Sequence, residues 1–228
     1  MIVRPFWKGR PTKAMVFDFD GTLAVLTIDF GLMRRRVLEW MKSFGIGEDR
    51  VHEKYLLEII DEVYPLLLRE KDQKEAEDFY RGAHRILKEV ELEAAAGGNL
   101  IPGSKEILTL LKDRGIKVGI VTRNCGDAVR AVFPEIEAFC DVFVARDGLK
   151  RVKPHPDHLS SVLSVLGVSG SDAVMVGDHV LDIRAGKEVG MRTMGVLTGY
   201  IKREEFEDAG ADIILENISE IRQVLEES

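Results

Sequence analysis

Four short apolar runs, residues 14–19, 117–122, 141–145 and 173–177, each lead into polar or glycine-rich residues and then into a stretch with helical periodicity. Residues 193–197 and 212–215 continue the series. Strands that alternate with helices in this way form a parallel sheet covered by helices on both faces, so the expected fold class is α/β. Pro102 and Gly103 open one of the covering helices, predicted over residues 104–114, with Gly115 as its stop.

Residues 29–96 break the rhythm. Phe30, Met33, Val37, Trp40, Met41 and Phe44 recur at three- and four-residue steps. So do Val51, Tyr55, Ile59, Ile60 and Val63, and then Ala76, Phe79, Tyr80, Ala83, Ile86, Leu87 and Val90. Three amphipathic helices without a strand between them are expected. Gly45 and Gly47 separate the first two, Pro65 falls near the end of the second, and Gly97 and Gly98 close the stretch. An all-helical block inserted after the first strand of an α/β sheet reads as a separate cap. The expected division is a core of residues 1–23 and 100–228 and a cap of residues 24–99. The run Arg34–Arg35–Arg36 reads as a solvated helix face.

The chain has 228 residues, enough for one sizeable domain with a smaller insert. Its 45% hydrophobic and 31% charged content is that of a globular protein. A net charge of -7 argues against a nucleic-acid partner. No apolar run approaches the roughly 20 residues a membrane span needs. The two cysteines, Cys125 and Cys140, lack partners at zinc-ligand spacing and read as reduced core thiols, which fits a cytoplasmic location. Residues 1–13 carry Arg4, Lys8, Arg10 and Lys13 and no acid, interrupted by Pro5, Gly9 and Pro11. They read as a basic tail rather than a transit peptide.

In an open parallel sheet, ligands bind beyond the carboxyl ends of the strands. Asp18-Phe19-Asp20-Gly21-Thr22 follows the first run, and Thr122, Arg123 and Asn124 end the second. Lys153-Pro154 lies in the loop after the third, and Gly177-Asp178, with Asp182 four residues on, ends the fourth. Several carboxylates, one lysine and one hydroxyl therefore meet at one edge. Carboxylates so gathered repel one another unless a cation lies among them, and oxygen ligands without His or Cys suit Mg²⁺. Asp18 and Asp20, two apart at a strand end, suit one nucleophilic carboxylate beside one proton donor. Gly21 allows a sharp turn that would bring backbone N–H groups, its own and that of Thr22, to a bound anion.

Asp18-Phe19-Asp20-Gly21-Thr22-Leu23, Thr122, Lys153-Pro154-His155-Pro156-Asp157 and Gly177-Asp178-His179-Val180-Leu181-Asp182 resemble, in order, the four motifs of the haloacid dehalogenase superfamily. The resemblance covers essentially the whole chain and implies a Rossmann-like three-layer core. The helical insert is similar to the cap of phosphoglycolate phosphatases and β-phosphoglucomutases. By position, Asp18 matches the nucleophile that forms an aspartyl-phosphate and Asp20 the general acid/base, whose backbone carbonyl would bind Mg²⁺. Asp178 matches the acidic metal ligand, and Asp182 a residue that orients the metal's waters or Lys153. Thr122 would hydrogen-bond the phosphoryl group, Lys153 would neutralise it together with Asp18, and Arg123 and Asn124 are further candidates for phosphate contact. The chain departs from many relatives at Ala24-Val25-Leu26, which is apolar where they carry a polar pair. His155, His158 and His179 lie near the site and are assigned surface or loop roles.

The implied activity is Mg²⁺-dependent hydrolysis of a small phosphorylated metabolite, phosphoglycolate-like or a sugar phosphate, by a monomer or homodimer. A phosphosugar mutase would use the same Asp18 but return the phosphoryl group to a sugar hydroxyl. A dehalogenase needs neither a metal nor an acid at Asp20. A silent binding module is disfavoured because every matched catalytic position is filled.

Overall fold

Residues 6–7, 10–149 and 151–226 are described in a computed structural model of the chain. In chain order the strands are β1 (Phe6–Trp7), β2 (Arg10–Pro11), β3 (Ala14–Phe17), β4 (Ala24–Val25), β5 (Asn99–Leu100), β6 (Lys117–Val121), β7 (Val142–Val144), β8 (Ala173–Gly177), β9 (Arg192–Val196) and β10 (Ile213–Leu215). Six of them form one parallel sheet in the order β10-β9-β8-β3-β6-β7. The central strands β3 and β8 are buried along their whole length, which is why they read as unbroken apolar runs rather than alternating ones. Of the basic N-terminal segment, Arg4 and Lys8 lie outside the described residues. Lys13 pairs with Asp172 at 2.5 Å.

The chain separates into two compact units, Met1–Leu26 with Gly97–Ser228, and Thr27–Ala96. Residues 24–26 lie on the core side of that division because β4 pairs antiparallel with β5, Ala24 opposite Leu100 and Val25 opposite Asn99. The carbonyl of Leu23 anchors this ladder by accepting from Ile101 N–H at 2.9 Å and Ser104 Oγ at 2.8 Å.

In the core unit, helices α4 (Ser104–Asp113), α5 (Gly126–Val132), α6 (Ile136–Phe139), α7 (Pro156–Leu166) and α8 (Val180–Glu188) follow in chain order, and α4, α7 and α8 flank the sheet. Leu159, Val162 and Leu166 of α7 join Val16, Val121 and Met175 of the sheet in one buried cluster. The chain runs outward from β3 through β6 to β7, then restarts at β8 on the other side of β3 and runs outward to β10. That reversal leaves a crevice at the carboxyl ends of β3 and β8.

The second unit is helical: α1 (Phe30–Ser43), α2 (Leu56–Glu70) and α3 (Gln73–Ala95). Asp29 and Asp72 cap α1 and α3 by accepting the N–H groups of Leu32 and Glu75 at 2.7 and 2.8 Å. Val51 and Tyr55, grouped with α2 by periodicity, precede it; Tyr55 is its extended cap residue. Pro65 lies inside α2 rather than near its end. Proline withholds one N–H from the helix, a cost of about 3 kcal/mol. Burial of Leu67, on the same face as Ile60 and Val63, offsets part of it and carries the helix past the proline.

Trp40 of α1 lies against Gly82 of α3, its Nε1–H donating to the Phe79 carbonyl at 3.0 Å. A Cβ on Gly82 would stand 2.5 Å from the indole. Gly82→Ala gains about 1 kcal/mol of helix propensity, but overpacking a held ring costs about 1–3 kcal/mol. The variant is therefore expected to unfold at lower urea concentration with an unchanged m-value. An unchanged or higher midpoint would show that the ring moves aside freely.

Candidate active site

Strand register brings the site together. Phe17 pairs with Ile120 on one side and Val176 on the other. Asp18, the next residue, therefore stands level with the last residues of β6 and β8, one short of Thr122 and Asp178. The N–H of Asp18 still donates to the Val176 carbonyl at 2.9 Å, so the carboxylate leaves the sheet from a fixed backbone. Its Oδ1 accepts from Phe19 N–H at 2.7 Å.

Lys153 reaches Asp18 from the loop between β7 and α7. Its ammonium lies 2.9 Å from Asp18 Oδ1 and 2.6 Å from Asp182 Oδ1, and its side chain is 1% exposed. Burial works against the charge on Lys153, but Asp18 and Asp182 outweigh it and hold the pKa above the ordinary lysine value. Asp182, in the first turn of α8, also accepts from His179 N–H at 3.1 Å through Oδ2. Both of its oxygens are thus engaged, one fixing the lysine and one fixing the start of the helix.

Asp178 sits in a tighter place. One oxygen accepts a long hydrogen bond from Thr22 Oγ1 at 3.4 Å. A Cβ on Gly21 or on Gly199 would stand 2.1 Å from its Oδ2, so two glycines make the room it occupies. Gly21 also has φ +80°, a left-handed turn that glycine adopts without strain. The loop bearing Gly199 is joined to the first motif by a hydrogen bond from Thr198 Oγ1 to the Gly21 carbonyl.

Carboxylate oxygens of Asp18, Asp178 and Asp182 all lie within 4.8 Å of one another. Burial, and then Asp18, Asp182 and Asp20, push the pKa of Asp178 up to about 9. Burial likewise raises that of Asp18 to about 6, with Lys153 pulling against it. Among the described residues Lys153 is the one lysine paired with this cluster, and its single charge does not neutralise it. An oxygen-only donor set short of positive charge fits Mg²⁺, with Asp18 and Asp178 as the carboxylates that could hold it. Asp182 is the least suited of the three to bind a metal directly, because its oxygens are already engaged.

The first motif folds into a compact loop. Phe19 O accepts from the N–H groups of Leu23 and Ala24, both at 2.9 Å, and Asp20 Oδ1 accepts from Leu26 N–H at 2.7 Å. The N–H groups of Gly21 and Thr22, expected at a bound anion, turn inward instead: they donate to the Ala24 and Phe19 carbonyls at 2.7 and 3.3 Å. The Thr22 side chain is buried beside Asp178. Both N–H groups are thus engaged within the loop, and the two residues border Asp178.

Thr122 is buried at the end of β6, and its Oγ1 accepts from Asn124 N–H at 3.1 Å. The hydroxyl proton is therefore directed elsewhere. The Asn124 carbonyl accepts from Arg146 N–H at 3.1 Å, and the Arg123 guanidinium donates to the Lys153 carbonyl. These two residues are engaged in holding neighbouring loops. His155 and His179 cap α7 and α8, each Nδ1 accepting a backbone N–H at 3.2 and 3.1 Å. His158, assigned a surface or loop role from sequence, is fully buried in the first turn of α7. The Thr198-Gly199 loop carried no recognisable sequence signal.

Residues 15–196 match a family described as haloacid dehalogenase-like hydrolase. A haloacid dehalogenase-like hydrolase domain-containing protein of Arabidopsis thaliana is 29% identical over 94% of this chain and 84% of its own length. The phosphoglycolate phosphatase of Nitrosococcus oceani is 24% identical over 96% and 99%. Among solved structures, CbbY from Rhodobacter sphaeroides in complex with phosphate is 27% identical, with a TM-score of 0.65 over 94% of this chain and 99% of that one.

Proposed function

The chain belongs to the haloacid dehalogenase-like hydrolases, and we propose that it is a phosphatase that releases phosphate from small phosphomonoesters by two displacements at Asp18. The observation that carries this reading is the Lys153 ammonium, buried and bonded to both Asp18 and Asp182. It fixes one oxygen of Asp18 and leaves the carboxylate on a rigid strand end, facing the crevice where a ligand of this fold binds. The phosphatase name of one relative and the phosphate bound to CbbY support the same chemistry.

In the first displacement the Asp18 carboxylate attacks phosphorus, and the bond to the leaving oxygen breaks as Asp20 gives it a proton. In the second, Asp20 takes a proton from water, which attacks the aspartyl-phosphate. Phosphate leaves and Asp18 is regenerated. Thr122, whose oxygen already accepts from Asn124, donates its proton to a phosphoryl oxygen. Lys153 adds positive charge beside the transferred group. Asp18, the Asp20 carbonyl and Asp178 would hold Mg²⁺, which would supply further positive charge beside the transferred group.

Phosphate release from a panel of phosphorylated metabolites, with Mg²⁺ and with excess chelator, tests the proposal. Release that tracks substrate loss, stops on chelation and returns with Mg²⁺ is expected. Isomer formation that outruns phosphate release would make the chain a mutase. Full activity in excess chelator would remove the metal from the reading.

A further inference from the structure

We infer that His158 is a positioning residue for Lys153, a neutral imidazole that sets the lysine's backbone against the strand end carrying Thr122. The inference rests on the reading of Lys153 proposed above.

His158 is fully buried, and both of its ring nitrogens have backbone partners. Nδ1 lies 3.2 Å from Lys153 N and Nε2 lies 3.1 Å from the Val144 carbonyl. A backbone N–H can only donate and a carbonyl can only accept. Both contacts are hydrogen bonds only when Nδ1 is bare and Nε2 carries the proton, which is one neutral tautomer. Protonation would place a second N–H against that of Lys153 and break the contact. Burial, then the positive charges of Lys153 and Arg123, lower the pKa of His158 to about 3, so the ring stays neutral at any working pH.

The same carbonyl of Val144 accepts from Thr122 N–H at 3.2 Å. One oxygen at the end of β7 therefore meets Thr122 on one side and, through the His158 ring, Lys153 on the other. The ring is carried by α7, whose next turns are packed into the core by Leu159 and Val162. The Lys153 carbonyl is held in turn by Arg123. Lys153 thus has its N–H and its C=O held by two side chains, and its ammonium held by two carboxylates. None of the atoms of His158 need touch the phosphoryl group for it to fix where the ammonium stands.

The test compares His158→Leu with His158→Asn. Leucine fills the space without hydrogen bonds; asparagine restores an acceptor where Nδ1 lies. His158→Leu is expected to lower kcat by about 10- to 100-fold with little change in KM, the scale of a small misplacement of a reacting group. His158→Asn should recover to within about fivefold of the parent, one neutral hydrogen bond short. In a Lys153→Ala background, read at high enzyme concentration, His158→Leu should cost no further rate. Melting curves on every variant check folding. Nitrogen-15 spectra of the unliganded protein read the ring directly: His158 should remain the Nε2–H tautomer from about pH 5 to about pH 9.

Equal losses in the Leu and Asn variants, full additivity with Lys153→Ala, or a ring that titrates in that range would each overturn the inference while the phosphatase reading stood. Absence of phosphate release by the parent protein would overturn the reading itself, and this inference with it. The spectra would then show only whether the two hydrogen bonds exist.

Discussion

Asp18→Asn is expected to lower phosphate release by at least about 10⁴-fold, the scale on which loss of a catalytic nucleophile is felt. The substitution keeps the shape of the side chain and removes the charge that attacks phosphorus. Folding should survive. Removing one partner of a buried ion pair ordinarily costs about 3–5 kcal/mol because the other charge is stranded. Here Lys153 keeps Asp182 at 2.6 Å, and a carboxylate cluster loses one repelling member. Stability within about 1 kcal/mol of the parent is therefore expected. A purified variant that melts like the parent yet keeps more than a few per cent of its rate would remove Asp18 from the role of nucleophile.

Asp178→Asn is expected to act on the metal before it acts on the chemistry. The substituted amide fills the space between Gly21 and Gly199 but contributes no charge. The Mg²⁺ concentration for half-maximal rate should rise by at least about 100-fold, since even outer partners of a metal ligand are worth about 10- to 100-fold. Binding to the folded state alone raises stability by about 2.7 kcal/mol at 100 times the dissociation constant. The parent's melting temperature should accordingly climb as Mg²⁺ is added, and the variant's should stay level over the same range. Equal upward shifts in both proteins would place the cation elsewhere. The readout is independent of turnover, so it separates failure of the metal site from failure of the phosphatase assignment.

The central sheet was legible because parallel strands, covered on both faces, must be apolar throughout. Residues 173–177 coincide with β8, while the first run stops at Phe17 rather than at residue 19. Phe19 is apolar and buried like a strand residue, yet it is the pivot of the loop, accepting three N–H groups through its carbonyl. Composition alone cannot tell those two uses apart. The meeting of Asp18, Lys153 and Asp182 was legible for a geometric reason: all strands of a parallel sheet present their carboxyl ends at one edge, where the segments that follow them begin. What happens to backbone groups was not. The inward turn of Gly21 and Thr22 depends on where carbonyls point, and the burial of His158 depends on the depth to which α7 packs. Pro65 misled in the opposite direction, since a local penalty gave way to burial further along the same helix.

The pairing of Val25 with Asn99 has a consequence for the protein's history. The chain leaves the core and returns to it on neighbouring strands, which lie about 5 Å apart. Everything between those two residues hangs from a point the core has already closed. An insert that folds by itself adds little loop-closure entropy to the core, whatever its length. Residues 27–96 could thus be lengthened, shortened or exchanged in descent while β3 kept its register with β6 and β8. The same joint offers a splice site to the laboratory: a foreign helical unit could be grafted between Leu26 and Gly97 to make chimaeras that keep the Leu26 N–H on Asp20.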